Sequence, residues 1–148
     1  MRIAIMGAGG IGGCYGALLA RAGFDVTLIA RGAHLESITE KGLQLVQPEG
    51  DFTVDVSATS DPSVVGPVDL VIFSVKAHHN ITAVPLIKPL VGADTTVLTI
   101  QNGVESADEI GQEYGADRVL PGSAYVISNV VSPGVVKQQS PIPRVVFG

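Results

Sequence analysis

A glycine-rich segment directly after the first apolar run is the feature that most constrains the fold of this chain. Residues 2–6 predict a buried strand, and residues 7–12 read Gly-Ala-Gly-Gly-Ile-Gly, which fits the pattern G-x-G-x-x-G. Residues 11–22 then predict a helix that ends before Gly23. A strand, a tight glycine turn and a helix in this order indicate the start of a Rossmann fold, whose turn binds the pyrophosphate of a dinucleotide.

The glycines of this turn have separate physical tasks. Gly7 permits the tight turn, Gly9 lets the backbone approach a phosphate without an intervening Cβ, and Gly12 lets the helix pack close to the strand. The N-terminus of the helix offers unpaired N–H groups and the positive end of its dipole. We therefore predict that the cofactor is bound by six consecutive residues, Gly7, Ala8, Gly9, Gly10, Ile11 and Gly12.

The rest of the chain continues the alternation of strands and helices. Further strands are predicted at 26–30, 69–75, 95–100 and 118–120, and further helices at 33–41, 80–91 and 106–114. Hairpins are predicted with strands at 43–47 and 52–56 and at 124–131 and 135–139, followed by a last strand at 144–147. This order predicts an α/β fold of the doubly wound Rossmann type, with a mainly parallel sheet and an antiparallel hairpin extension near the C-terminus. We expect residues 1–148 to form one dinucleotide-binding domain.

The residue after the second strand bears on which dinucleotide is bound. NAD-selective domains place a carboxylate there to bind the ribose 2′-hydroxyl. Here the strand ends in Ala30-Arg31 and has no carboxylate at this point. Because a guanidinium binds a 2′-phosphate through charge-assisted hydrogen bonds, Arg31 favours NADP over NAD.

Two further strands are followed by polar residues. Lys76 comes directly after the strand at 69–75, and Asn102 follows the strand at 95–100. In an open parallel sheet, ligands bind outside the carboxyl ends of the strands, which share one edge. We therefore predict that Arg31, Lys76 and Asn102 converge on the edge that carries the glycine turn.

Composition excludes several classes of partner. The net charge of −5 weighs against nucleic acid, and no apolar run is long enough to cross a membrane. The single cysteine, Cys14, cannot form an internal disulfide, which favours the cytoplasm. No metal site is predicted, because the adjacent His78 and His79 point to different sides of a helix and no further ligand lies at suitable spacing.

The chain is also poor in charge, with 16% charged and 46% hydrophobic residues. Soluble domains usually have about 25% charged residues. Two explanations remain open for a domain of this size. Its surface uses many neutral polar groups, or part of its surface is apolar and is covered by something outside this chain.

Five segments together resemble one enzyme family. They are, in chain order, residues 6–12, Ala30-Arg31-Gly32, the Gly42-Leu43 hairpin, Ser74-Val75-Lys76-Ala77 and Ile100-Gln101-Asn102-Gly103-Val104. This set is similar to the ketopantoate reductases (2-dehydropantoate 2-reductases). The resemblance implies the NADPH-dependent reduction of 2-dehydropantoate to pantoate, a step of pantothenate and coenzyme A biosynthesis.

The resemblance also implies roles for individual residues. Residues 7–12 would hold the pyrophosphate, Arg31 would bind the 2′-phosphate and Lys76 would line the cofactor site. Asn102 would lie near the nicotinamide and the substrate, and the backbone near Ser128 would touch the cofactor. Members of the family have a helical C-terminal domain that supplies the catalytic lysine, so no catalytic residue is assigned here. The partners implied are a small 2-keto acid and that helical domain, and a homodimer stays open.

Two other functions remain open at the level of sequence. One is a non-enzymatic Rossmann module that senses NADP. The other is a reductase of the same architecture that acts on a different 2-keto acid, because the pocket for the acyl group lies mostly outside these residues. For the reductase interpretation, we expect the 148 residues alone to be inactive.

Overall fold

The computed structural model describes residues 1–101 and 105–148. The strands are β1 (Arg2–Met6), β2 (Asp25–Ile29), β3 (Leu43–Val46), β4 (Phe52–Val54), β5 (Ser57–Thr59), β6 (Val68–Phe73), β7 (Val91–Thr99), β8 (Val119–Tyr125), β9 (Ser128–Ser132), β10 (Val135–Gln138) and β11 (Arg144–Phe147). The helices are α1 (Gly10–Arg21), α2 (Gly32–Lys41), α3 (Asn80–Leu86) and α4 (Ser106–Tyr114). None of the helices in the described part of the chain is long and apolar enough to cross a membrane.

The main sheet has seven strands in the order β11-β8-β7-β6-β1-β2-β5. All neighbouring pairs from β8 to β5 are parallel, and only β11 runs antiparallel, beside β8. Strands β1, β2 and β6 are buried over most of their length, as expected for a sheet covered on both faces. This order confirms the doubly wound Rossmann fold. The strand order reverses between β1 and β6, and this crevice is the one where such folds bind ligands.

A second sheet of four strands has the order β4-β3-β10-β9. Both predicted hairpins are confirmed, since β3 pairs antiparallel with β4 and β9 pairs antiparallel with β10. The sequence did not show that the two hairpins join through the parallel pair of β3 and β10, where Val135 lies opposite Gln44. The hairpin extension near the C-terminus is thus half of a separate sheet.

Helix α1 is buried between the two sheets, and its glycines make this possible. A Cβ on Gly16 would lie 2.7 Å from Leu28 Cδ2 and 3.2 Å from Ile5 Cδ1 in the main sheet. On the other side, a Cβ on Gly13 would lie 2.8 Å from Val136 Cγ2 in β10. Small residues on two sides of the helix therefore let a sheet pack on each. Helices α3 and α4 cover the opposite face of the main sheet with a second apolar cluster.

The structure corrects the predicted elements in several places, including the start of β7, which lies at Val91 and not at residue 95. Strand β5 was not predicted, because a polar three-residue strand at a sheet edge has no apolar periodicity. The predicted helix 80–91 ends at Leu86, and a 3₁₀ turn at Lys88–Leu90 precedes β7. Pro85 lies in the last turn of α3, and Pro89 is the second residue of the 3₁₀ turn, so the chain does not continue as a helix. Residues 124 and 125 belong to β8 instead of the hairpin, because they pair with β11.

Phe73 and Phe147 form a matched pair for testing where the core lies. Phe73 is fully buried at the end of β6, whereas Phe147 in β11 is 59% exposed. We expect Phe73→Ala to lower the free energy of unfolding by about 3–5 kcal/mol, the usual cost of a large core deletion. Phe147→Ala should cost about 1 kcal/mol or less. Urea denaturation of both variants measures the difference, and equal losses would contradict this account of the core.

Candidate functional site

The glycine turn between β1 and α1 is held by close contacts and by one hydroxyl. Gly7 has a φ of +98°, a conformation that favours glycine. A Cβ on Gly12 would overlap the Gly7 carbonyl oxygen and Ser74 Oγ. The Ser74 hydroxyl, just after β6, lies 2.8 Å from the Gly7 carbonyl oxygen and 3.2 Å from that of Met6. The turn is thus fixed against the neighbouring strand at the point where the strand order reverses.

The N-terminus of α1 is open to solvent on the side of Gly9. Gly9 is the N-cap of the helix, and no side chain caps it. A Cβ on Gly9 would meet no atom within 4 Å. The first N–H groups of a helix have no carbonyl partner within it, and the helix dipole adds positive potential there. The turn therefore presents unoccupied donors to open space, which suits a phosphate.

A groove of about 680 Å³ lies at this end of α1. The glycine turn, the ends of β2 and β6, helix α3 and strand β9 form its walls. Its charged or titratable lining side chains are Arg31, His34, Lys76, His78 and His79, and no described lining residue is Asp or Glu. With two fixed cations and no described opposing carboxylate, the groove favours an anionic ligand.

Ser128 lies where the second sheet reaches the groove. Its hydroxyl is buried and has no hydrogen-bond partner within the described residues. Strand β9 passes so close to Gly10 that a Cβ there would overlap the Ser128 carbonyl oxygen. Buried hydroxyls are nearly always hydrogen-bonded, so this one is a candidate contact for a ligand in the groove.

A buried amide network supports the strand end that carries Lys76. Gln101 Nε2 donates to the Val75 carbonyl oxygen at 2.5 Å and to Asn80 Oδ1 at 2.7 Å. The residue before Lys76 is thereby joined to the end of β7 and to the first turn of α3. The predicted Asn102 follows directly in sequence and lies outside the described residues.

Residues 3–148 match the family model described as ketopantoate reductase PanE/ApbA. The chain belongs to this ketopantoate reductase family. A 2-dehydropantoate 2-reductase of Mesorhizobium japonicum is 35% identical, over 93% of this chain and 48% of that protein. The chain spans about half the length of the curated relatives it matches.

Solved structures of reductases have the same fold. The crystal structure of 2-dehydropantoate 2-reductase from Geobacter metallireducens GS-15 aligns with a TM-score of 0.95 and 39% identity, over all of this chain and 49% of that one. A ternary structure of D-mandelate dehydrogenase with NADH and anilino(oxo)acetate aligns with a TM-score of 0.91 and 29% identity, over 99% and 48%. Solved structures of this family have the predicted fold. The same fold also occurs in an enzyme of another name, D-mandelate dehydrogenase.

The structure brings most of the predicted site residues of this ketopantoate reductase family member into one groove. Residues 7–12, Arg31, Lys76 and Ser128 all lie at the carboxyl edge of the main sheet or beside it, and all but Gly12 line the groove directly. Gly12 acts from behind the turn, through its packing. Whether these residues bind a cofactor stays a prediction.

Sequence reasoning missed other groove residues. His34 lies 2.7 Å from the Ala8 carbonyl oxygen through Nε2. Its position in the first turn of α2, three residues after Arg31, was a usable signal. His78 and His79 line the groove from a 3₁₀ turn, with ring centroids 4.1 Å apart. Within residues 1–101 and 105–148, no group of three His, Cys, Asp or Glu side chains could hold a metal ion.

Cys14 lies one turn into α1 and is fully buried. Burial raises the pKa of its thiol to about 12, because a thiolate would lose its hydration there. Its Sγ lies 3.4 Å from Gln138 Oε1 in β10, which accepts the weak S–H hydrogen bond. The thiol is therefore a packing group of α1, and it has no nucleophilic character at neutral pH.

Alanine should destabilise the protein at one glycine of the turn and have little effect on stability at another. Gly12→Ala places a Cβ against a backbone oxygen that cannot move aside, and should lower the free energy of unfolding by about 1–3 kcal/mol. Gly9→Ala meets open space, and should cost under about 1 kcal/mol. Urea denaturation followed by circular dichroism compares them. Equal losses would show that the packing of α1 on the turn is not the constraint described here.

Proposed function

We propose that the groove binds NADP(H) and that this chain forms the cofactor-binding part of an NADPH-dependent 2-dehydropantoate 2-reductase. The observation that carries the choice of cofactor is Arg31 at the carboxyl end of β2, in a groove without a described carboxylate. A carboxylate there would repel a 2′-phosphate, whereas a guanidinium binds it with two hydrogen bonds. The family match and the names of the relatives support the reaction.

The residues present fit the parts of this cofactor. Residues 7–12 would bind the pyrophosphate in the open space beside Gly9, through the N–H groups that follow Gly7, because the Gly7 N–H itself donates to the Ile29 carbonyl oxygen at 3.3 Å. Arg31 would hold the 2′-phosphate, and Lys76, which follows β6 on the other side of the glycine turn, would add positive charge beside the pyrophosphate. The unpaired hydroxyl of Ser128 would gain a partner on the cofactor. Asn102 stays our prediction for the contact with nicotinamide and substrate.

The chemistry of the reaction is then divided between two parts of the enzyme. Bound NADPH supplies a hydride to the keto carbon of the substrate. The residues of this chain bind the cofactor and fix its orientation, and the walls formed by α3 and β9 keep water from it on two sides. The developing alkoxide needs a proton donor in a closed site. We assign this donor to the helical second half that the resemblance implies.

The exposed apolar residues support this division. Tyr125 in β8 and Val146 in β11 share one face of their antiparallel pair and are 54% and 51% exposed, and Ile127 and Ile142 in the adjoining loops reach 63% and 78%. Such a group of exposed apolar side chains marks an interaction surface. We propose that the second half of the enzyme covers them. A biosynthetic reduction of this kind, with a single reduced cysteine, also fits the cytoplasm.

A second candidate is a reductase of another 2-oxo acid. The likeness to D-mandelate dehydrogenase, with NADH and anilino(oxo)acetate bound, favours it, because that enzyme has the same fold at 29% identity. The two candidates differ in cofactor and in acyl group. Steady-state rates of the full-length enzyme with 2-dehydropantoate and with aromatic 2-oxo acids, each with NADPH and NADH, separate them.

Cofactor preference tests the role of Arg31. We expect calorimetry to show NADPH binding to the chain roughly tenfold or more tighter than NADH, since hydrogen bonds to a charged group contribute about 1.5–3 kcal/mol. Arg31→Ala should remove most of this difference by weakening NADPH binding alone. Arg21→Ala, which removes the same charge at the far end of α1, is the control and should leave both affinities unchanged. Equal affinities of the unmodified chain for the two cofactors would overturn the NADP assignment.

Turnover tests the division of labour. We expect the 148 residues alone to oxidise NADPH in the presence of 2-dehydropantoate at no more than the background rate, while the full-length enzyme turns over. The reason is that binding and orientation are present without the proton donor. NADPH absorbance measures both rates. Turnover by the 148 residues near the full-length rate would place the proton donor in this chain.

A further inference from the structure

The imidazole of His34 connects the glycine turn to the second sheet. Nε2 lies 2.7 Å from the Ala8 carbonyl oxygen, and the Gly134 N–H donates to Nδ1 at 2.9 Å. Because Nδ1 accepts a hydrogen bond, the ring hydrogen is on Nε2, which donates to Ala8. One half-buried ring thus joins the turn after β1 to the turn between β9 and β10, which lies a hundred positions beyond His34 in the chain.

The Gly134 end of this connection is firmly anchored. The Gly134 carbonyl oxygen accepts a hydrogen bond from the Gln44 N–H at 2.9 Å, which ties it to β3. Ser37 Oγ donates to the Pro133 carbonyl oxygen at 2.9 Å, which ties the same turn to α2. His34 therefore holds Ala8 against a fixed point and not against a mobile loop.

The hydrogen bond at the Ala8 end of the connection fixes the orientation of the Ala8–Gly9 peptide unit. The Ala8 carbonyl and the Gly9 N–H belong to one planar trans peptide unit, so they point in opposite directions. A hydrogen bond that fixes the carbonyl oxygen therefore also fixes the Gly9 N–H. This N–H is one of the donors that the proposed function assigns to the pyrophosphate.

We propose that His34 is a positioning residue for the cofactor. It holds the Ala8–Gly9 peptide in the orientation that binds the pyrophosphate and uses the second sheet as its support. The identity of the ligand rests on the proposed function, whereas the connection between the turn and the second sheet does not. The second sheet is then part of the phosphate site although only Ser128 and Val130 of its residues line the groove.

Three variants test the connection. His34→Phe keeps a ring of similar size and removes both nitrogens, whereas His34→Gln keeps one donor and one acceptor. We expect His34→Phe to raise the Kd for NADPH about tenfold, and His34→Gln to stay within about threefold of the parent chain. Ser37→Ala is the matched control, because it removes a hydrogen bond to the same turn without touching Ala8. Its affinity should stay within about twofold of the parent chain.

Amide hydrogen exchange and ring NMR give readouts in the cofactor-free chain. His34→Phe should speed exchange at Gly134, whose N–H loses its acceptor, and should shift the amide resonance of Gly9, whereas Ser37→Ala should leave the Gly9 resonance unchanged. Nitrogen-15 spectra of the parent ring should show the tautomer with hydrogen on Nε2. These measurements judge the connection even if NADPH is not the ligand.

The outcomes separate this proposal from the proposed function. If the parent chain binds NADPH and His34→Phe binds it equally well, His34 does not position the turn, and the cofactor assignment stands. If His34→Phe and Ser37→Ala weaken binding equally, general loosening of the turn is the cause and the proposal is wrong. If His34→Phe does not fold, the ring tautomer and the affinity of His34→Gln decide, and hydrogen on Nδ1 or a large loss in His34→Gln overturns it. If the parent chain does not bind NADPH, the proposed function fails, and hydrogen exchange alone judges the connection.

Discussion

The absence of a side chain at Gly12 is the constraint on which the rest of the site depends. With no Cβ there, the first turn of α1 packs directly on the Gly7 carbonyl, beside the hydroxyl of Ser74. A larger residue would move the helix away from the crevice between β1 and β6. The donors at the start of α1 would then no longer share an edge with Arg31, so the two parts of the proposed NADP site would move apart. The position of α1, and with it the shape of the groove, depends on this close packing.

Much of the fold and part of the site followed from local pattern. Buried parallel strands leave long apolar runs, and glycines follow the ends of several helices, so every strand of the main sheet except β5 could be located along the chain. Arg31 and Lys76 could be placed together because strand ends in a parallel sheet share an edge. The joining of β3 to β10 and the hydrogen bonds of His34 could not be predicted, since they depend on pairings between distant segments that leave no periodic signal.

The low charge content has a structural explanation in two parts. The main sheet is covered on both faces, and α1 packs between two sheets, so the strands and the helix between them are built largely from apolar residues. This part follows directly from the packing of Gly13 and Gly16. The exposed apolar side chains of β8, β11 and the loops beside them make up the other part. Polar neutral groups alone therefore do not account for the composition.

The parallel pairing of β3 with β10 has a consequence for how the chain acquires its structure. Contacts between segments so far apart in sequence carry a large loop-closure entropy and form slowly. During synthesis, β3 and β4 emerge as an isolated hairpin, which is marginally stable until β10 arrives to pair with it. One side of α1 stays uncovered for the same interval. The second sheet is thus completed only after most strands of the main sheet have been made, and the orientation of the glycine turn is completed only when β10 and the turn before it have joined.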